Sequence, residues 1–193
     1  MGTANRFGTA PANRFGTSRL VSAELLGFAA VVMNPSADLV LTPINGAGRP
    51  IRGWLTNFHL FVVGVNPANE RSAWLVPTAA RILTNFEQAD CRVAWLVAGD
   101  AADARKLLGR WAGEIMTFVD PELSAIKGFG LETLPAIVHL GQDLTVVNAV
   151  EGWDPMAWRD LTTELSRRMS WSRPHIPAPG DPGAFEGAPL PRI

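Results

Sequence analysis

LFVVGVNPANERSAWLVPTAARILTNFEQADCRVAWLV, residues 60–97, holds two apolar runs separated by a helical pattern. Leu60–Val65 is continuously apolar and Cys91–Val97 nearly so, as expected of strands buried on both faces of a sheet. Between them Leu75, Ala79, Ile82, Leu83 and Phe86 recur at helical spacing. That predicts a helix from about Ser72 to Phe86, bent near its start by Pro77. Ser72 is read as its N-cap.

Downstream the alternation continues. Asp100 caps a helix carrying Ala104, Leu107, Leu108 and Trp111 on one side, with Asp103 in the first turn. Ile115–Val119 reads as a strand, and Asp120-Pro121 as the start of a short helix. Ala136–Leu140 pairs with Leu144–Val150 across the turn Gly141-Gln142-Asp143. The last helix starts at Asp154 as cap with Pro155 in its first turn, runs to about Arg168, and buries Trp158, Leu161 and Leu165. Upstream, Ala29–Met33 and Asp38–Thr42 read as short strands around the turn Asn34–Ala37, and Asn45–Gly48 as another turn. The order of hairpin, βαβαβ, hairpin and helix is an α/β architecture: a central mixed sheet flanked by helices, opened by an N-terminal β-hairpin.

The domain is expected over residues 20–170, with a tail at each end. In residues 1–19, Ala4-Asn-Arg-Phe-Gly-Thr9 recurs as Ala12-Asn-Arg-Phe-Gly-Thr17 without helix or strand periodicity, which reads as a duplicated flexible tail. Residues 171–193 carry six prolines, Pro174, Pro177, Pro179, Pro182, Pro189 and Pro191. Proline fixes φ and removes a ladder donor, so this tail is expected to be extended and unpacked. Its anchors, and those of the first tail, would dock on the domain or on another chain. Phe7, Phe15, Trp171 and Phe185 are the partner-binding candidates, since aromatic residues concentrate at interfaces.

Composition excludes several classes. With 17 basic and 18 acidic residues the net charge is −1, too little positive field for general affinity to nucleic acid or anionic lipid. No run approaches the roughly 20 apolar residues of a membrane span. Cys91 is the only cysteine, which rules out an internal disulfide and a cysteine zinc cluster. Leu25–Met33 follows Arg6, Arg14 and Arg19 and so has a superficial export-signal look. It is short, bordered by Glu24, and lacks an immediate small-x-small cleavage site, so a cytoplasmic location is expected.

From about Asp38 to Arg168 the chain resembles the alkyl hydroperoxide reductase and thiol-specific antioxidant (peroxiredoxin-like) family of the thioredoxin-like superfamily. The opening stretch Asp38–Gly46 with Pro50-Ile51-Arg52 carries the likeness. So do Asp120-Pro121-Glu122-Leu123 through Phe129–Pro135, and Gly141–Val147 with Gly152-Trp153-Asp154. The resemblance implies a thioredoxin-like fold and a cis-proline loop at Leu134-Pro135 that presents backbone groups to an extended peptide. It also implies a thiolate at the helix start after the first central strand, where a helix N-terminus lowers a thiol pKa. Aligned on Pro77, the family's cysteine pair falls at Asn69 and Ser72, its buried acid at Val63 and the preceding tryptophan at Ala68. Aligned on Pro67, the peroxidase threonine falls at Arg71 and its cysteine at Trp74. Neither placement finds sulfur, so the resemblance implies a degenerate member lacking the catalytic cysteines.

Among other candidates, Cys91 starts a buried strand and reads as a structural thiol. His59, His139 and His175 lie on separate elements without ligand spacing, so neither metal nor cofactor is expected. Ser72 has no evident His and Asp partners. Glu70 and Arg71 read as a solvated turn. Trp74, Trp95, Trp111 and Trp158 read as core, Trp54, Trp153 and Trp171 as freer. A ligand site by Pro135 lacks converging polar groups. The function expected is that of a redox-inactive binding protein: an accessory subunit, scaffold or assembly chaperone for a protein partner, a larger complex or a second copy of the chain. The alternative is a thiol-dependent oxidoreductase or peroxidase acting through Cys91 or another site.

Overall fold

The alternating strands and helices form in the computed structural model, which describes residues 33–190. β1 (Val40–Pro43) and β2 (Arg49–Pro50) make the opening hairpin, with Val40 opposite Pro50 and Leu41 opposite Arg49. Ala29–Val32 of the expected upstream strand lie outside the described residues, and Met33 is not in a strand. Next come β3 (His59–Val65), α1 (Glu70–Asn85) and β4 (Cys91–Val97). α2 (Ala101–Leu108) starts on a capping box. Asp100 Oδ1 accepts from Ala102 and Asp103 N–H at 2.7 and 2.9 Å, and Asp103 Oδ2 accepts from Asp100 N–H at 3.2 Å. Gly109, at φ 56°, ends α2, so Trp111 opens the separate α3 (Trp111–Glu114) and does not extend α2 as expected.

β5 (Met116–Val119) leads to α4 (Ser124–Gly128), which begins later than Asp120-Pro121. Leu123 takes a left-handed conformation, and the Asp120 carboxylate accepts from Ser124 and Ile126 N–H, each at 2.9 Å, as the local cap. β6 (Thr133–Leu134), the cis Leu134–Pro135 bond, β7 (Ala136–Leu140) and β8 (Val146–Glu151) follow. α5 (Pro155–Met169) is capped by Asp154, whose Oδ1 accepts from Met156 and Ala157 N–H, and the chain ends its described course in β9 (Ala188–Pro189).

Among the described residues a seven-stranded sheet runs β2-β1-β5-β4-β3-β7-β8, with β9 pairing separately on β6. β3 is parallel to β4 and antiparallel to β7, so the sheet is mixed. Alternation along β3 divides the core between two faces. Phe61, Val63 and Val65 pack with α1, α2 and α5; Leu60 and Val62 pack with α4, β1 and the turn at Ile51. Trp95 and Trp158 are buried as expected. Trp54 and Trp153 are also buried, against expectation, while Trp74 is 54% exposed. Trp54 packs edge-on to Phe118 at 4.9 Å under the Arg49 guanidinium, and Trp153 packs edge-on to Trp158 at 5.0 Å.

The proline-rich tail is packed, contrary to the expectation of an unpacked one. Ile176 is buried in the α1–α5 core. The Asp181 side chain, 5% exposed, accepts from two residues of α1: Thr78 Oγ1 at 2.8 Å and the Arg81 guanidinium at 2.9 Å. Its carboxyl is held below the usual range, the backbone N–H of Ala178 and the Thr78 and Arg81 donors outweighing its burial. Trp158→Ala would remove a buried ring and its indole bond to Gly152 O at 3.0 Å. It is expected to destabilise the domain by about 3–5 kcal/mol in urea unfolding. A change below about 1 kcal/mol would contradict this account of the core.

Candidate functional site

α1 begins where β3 ends, and the local sequence sets its first turn. Asn66 Oδ1 accepts from Ala68 N–H at 2.9 Å, and Asn69 N–H donates to Asn66 O at 3.0 Å. Asn69, not Ser72, is the N-cap: its Oδ1 accepts from Arg71 N–H at 3.0 Å. Its amide Nδ2 donates across to Leu134 O at 3.3 Å, tying the helix start to the residue before the cis-proline. Ser72, one turn on, is fully buried, and its Oγ accepts from Asn66 N–H at 3.1 Å. Asn69 and Ser72 therefore sit at the junction of helix start and cis-proline loop. Trp74 lies on the exposed side of α1 and takes no part.

Chemically this junction is quiet. It holds an amide and a hydroxyl already engaged by backbone groups, and among the described residues no histidine adjoins them. His139 and His59 lie toward the other end of β7 and β3, roughly 13 and 20 Å along the strands at a rise of about 3.3 Å per residue. Cys91 is paired with His59 in the β3–β4 register, so it too sits at that far end, about 20 Å along the strands. The thiol is buried, donates to Phe86 O at 3.7 Å, and is pushed up to about 12 by burial first and the Asp90 charge second. A thiol so perturbed is not a nucleophile near neutral pH.

The tail covers the junction. Thr133 lies opposite Pro189 and Leu134 opposite Ala188, and Leu190 N–H donates to Glu132 O at 2.9 Å. Trp153 and Phe185 exchange backbone bonds of 2.8 and 2.9 Å. Arg71 donates to Glu186 O at 3.4 Å and its guanidinium lies 5.8 Å from the Phe185 ring. The inner edge of the loop is held by Glu151, whose Oε2 accepts from Thr133 N–H and Oγ1 at 2.5 and 2.6 Å. Of the four partner-binding candidates, Phe185 is thus half-buried on its own domain. Trp171 is 37% exposed with its indole N–H on Asn85 O at 2.6 Å. Phe7 and Phe15 lie outside the described residues.

Sequence reading separated the histidines, but the antiparallel β3–β7 pairing joins two of them. His59 Nδ1 and His139 Nε2 are 2.9 Å apart, with the rings 5.1 Å between centroids. His59 borders an open cavity of about 570 Å³ that is also lined by Gln142, Asp143, Thr145, Val146 and Arg168, and His139 lies buried behind it. His139 is buried with Nδ1 unpartnered, and desolvation, reinforced by His59 and Arg168, lowers it to about 4. His59 is also lowered, chiefly by burial. Among the described residues no group of three His, Cys, Asp or Glu is placed to hold a metal ion. Only knowledge of the strand register, absent from spacing alone, would have found this pair.

The chain matches no protein-family model and no curated protein. It is similar to solved structures. One is a Chlorobium tepidum protein assigned as the thiol:disulfide interchange protein DsbE (13% identity, TM-score 0.59, 72% of this chain and 97% of that chain). Another is peroxiredoxin Q of Xanthomonas campestris (12%, 0.57, 72% and 97%). A third is a secreted Mycobacterium tuberculosis disulfide oxidoreductase homologous to E. coli DsbE (13%, 0.51, 69% and 96%). At such identities the likeness defines the fold: this is a thioredoxin-like domain, a curled mixed sheet flanked by helices. No helix of the described residues is long and apolar enough to cross a membrane.

The histidine pair gives a pH prediction. The unfolded chain protonates His139 near 6.5, whereas the folded chain resists until about 4. The folded state's advantage is therefore whole above about pH 6.5 and is lost progressively as pH falls toward 4, in total about 3 kcal/mol. Urea unfolding at pH 7 and pH 4.5 should show a smaller acid loss for His139→Leu than for the wild type. Parallel profiles would remove His139 from the account.

Proposed function

We propose that this chain is a redox-inactive member of the thioredoxin-like superfamily, degenerate at its catalytic positions, that acts by binding another protein as an accessory subunit, scaffold or assembly chaperone. One observation carries the reading. At the junction of the α1 N-terminus and the cis-proline loop stand an amide and a buried hydroxyl, both spent on backbone bonds. A helix N-terminus favours a thiolate, but only a sulfur placed there can use that field. The lone thiol, Cys91, is buried at the opposite end of the sheet with its pKa raised, which speaks against the oxidoreductase alternative. A single buried thiol also fits residence in a reducing cytoplasm.

Purified full-length protein should reduce neither insulin disulfides nor hydrogen peroxide faster than its Cys91→Ser variant. Turnover clearly above that variant would sink the redox-inactive reading.

The partner reading rests on the aromatic residues of the tails, Phe7, Phe15 and Trp171. Burying one such ring contributes roughly 1.5–3 kcal/mol, equivalent to about tenfold or more in affinity. Once a partner has been identified by affinity purification and mass spectrometry, Phe7→Ala, Phe15→Ala and Trp171→Ala should each weaken its binding by about that factor. Unchanged affinity in the triple variant would make the tails passengers.

A further inference from the structure

The tail's course divides at Gly183. Before it, the segment is locked: Asp181 holds Arg81, Thr78 and Ala178, Trp153 Nε1 donates to Pro182 O at 2.9 Å, and Arg81 donates to His175 O at 2.7 Å. After it, residues Phe185–Leu190 lie extended along the β6 edge and the Gly152-Trp153 backbone. At Gly183 itself an added Cβ would meet nothing within 4 Å.

The second part is fitted to its seat by two glycines that face each other. A Cβ on Gly187 would stand 2.8 Å from Thr133 Cβ and 3.2 Å from Gly152 N. A Cβ on Gly152, which is also at φ +73°, would stand 2.8 Å from Gly187 N and 2.9 Å from Phe185 O. Contacts below 3.0 Å are not tolerated by real Cβ atoms, so neither position accepts a side chain while the tail is seated. A segment that merely drifted over the surface would not need glycine on both sides. The seat also reads the occupant: a half-buried Phe185 below Arg71, the close approach at Gly187, Ala188 and Pro189 on the edge, and Leu190 against the second core. Proline at 189 leaves the pairing intact, because the neighbouring bond is donated by Leu190 N–H.

We infer that residues 185–190 are a built-in ligand, an intramolecular latch that fills the extended-chain edge beside Leu134-Pro135 and closes it to extended segments of other proteins. The latch peels at Gly183 while the Asp181 lock keeps the rest of the tail in place. A protein that opened the edge would have to offer an extended segment of the same chemistry, with an aromatic residue, glycine two positions on and proline two beyond that. This stands on the tail contacts alone and does not depend on the redox-inactive reading.

The test uses the full chain and a fluorescent peptide of residues 183–190, Gly-Ala-Phe-Glu-Gly-Ala-Pro-Leu. The wild type, whose own tail fills the seat, should bind it weakly. The Gly187→Val chain, whose tail no longer fits, should bind it saturably and about tenfold or more tighter than the wild type. The same peptide carrying Gly187→Val should bind neither. Should the Gly187→Val chain fail to fold, a wild-type chain with a protease site inserted at Gly183, cut after folding, should release its terminal segment on dilution and then take up the peptide. Equal binding to latched and unlatched chains would place the peptide elsewhere and overturn the inference. So would absence of binding to the cut, folded chain. Concentration-dependent dimers with tails exchanged between copies would overturn closure within one chain.

Discussion

The register of β3 against β7 settles both ends of the molecule. Gly64 opposite Ala136 brings the residue after β3 and the residue before β7 to the same edge of the sheet, so the start of α1 meets the cis-proline loop. Asn69 then closes the gap with one hydrogen bond to Leu134 O. At the opposite end the same ladder sets His59 beside His139 and, through the parallel β3–β4 pairing, Cys91 beside His59. A slip of one residue would turn every buried side chain of β7 to the other face, which the two dissimilar cores on either side do not permit. Junction and histidine pair are thus consequences of one alignment, and the place of the inert thiol follows from the other pairing of β3.

That alignment also explains which features were legible in the sequence. Strands β3 and β4 and the caps at Asp100 and Asp154 announce themselves locally, through apolar runs and side chains that reach backbone N–H groups two or three residues on. The mixed sheet and the thioredoxin-like architecture followed from the order of those elements and the family resemblance. The true N-cap did not: Asn69 and Ser72 are both good caps, and the choice falls to Asn69 because only its amide can also reach Leu134. The tryptophans misled for a similar reason. Trp54 is drawn inward by Phe118, which is distant in sequence, and Trp153 packs on Trp158 and donates its indole N–H to the equally non-local Pro182 O, while Trp74 falls on the solvent side of a helix whose apolar stripe is complete without it.

Proline density predicts an unpacked tail, whereas its course is decided by pairing that proline does not forbid. Proline forbids a central strand, yet β9 needs no donor from Pro189, and Asp181 finds its partners on α1 at a separation of about a hundred residues that no local pattern encodes. An acidic side chain so buried would be unfavourable alone. Here a guanidinium, a hydroxyl and a backbone N–H all donate to it, which converts a costly burial into an anchor. Phe185, a candidate anchor for the domain or for another chain, is consequently turned onto its own domain.

Lock and latch differ in kind, and the difference governs what can open the edge. The lock is a multiply bonded carboxylate with Ile176 buried beside it. The latch is held by backbone bonds to Glu132, Trp153 and the two-residue β6 ladder, by one aromatic ring under Arg71, and by a close glycine contact, with no buried charge. Such a latch holds because it is tethered: a short linker keeps a segment at an effective concentration on the order of millimolar. A free segment of equal intrinsic affinity does not displace it at cellular concentrations. Displacement requires a partner that gains contacts elsewhere on the domain. Opening of the edge is in this way made conditional on recognition of a second surface, which gives specificity to a groove that, open, would accept extended chains largely through their backbone.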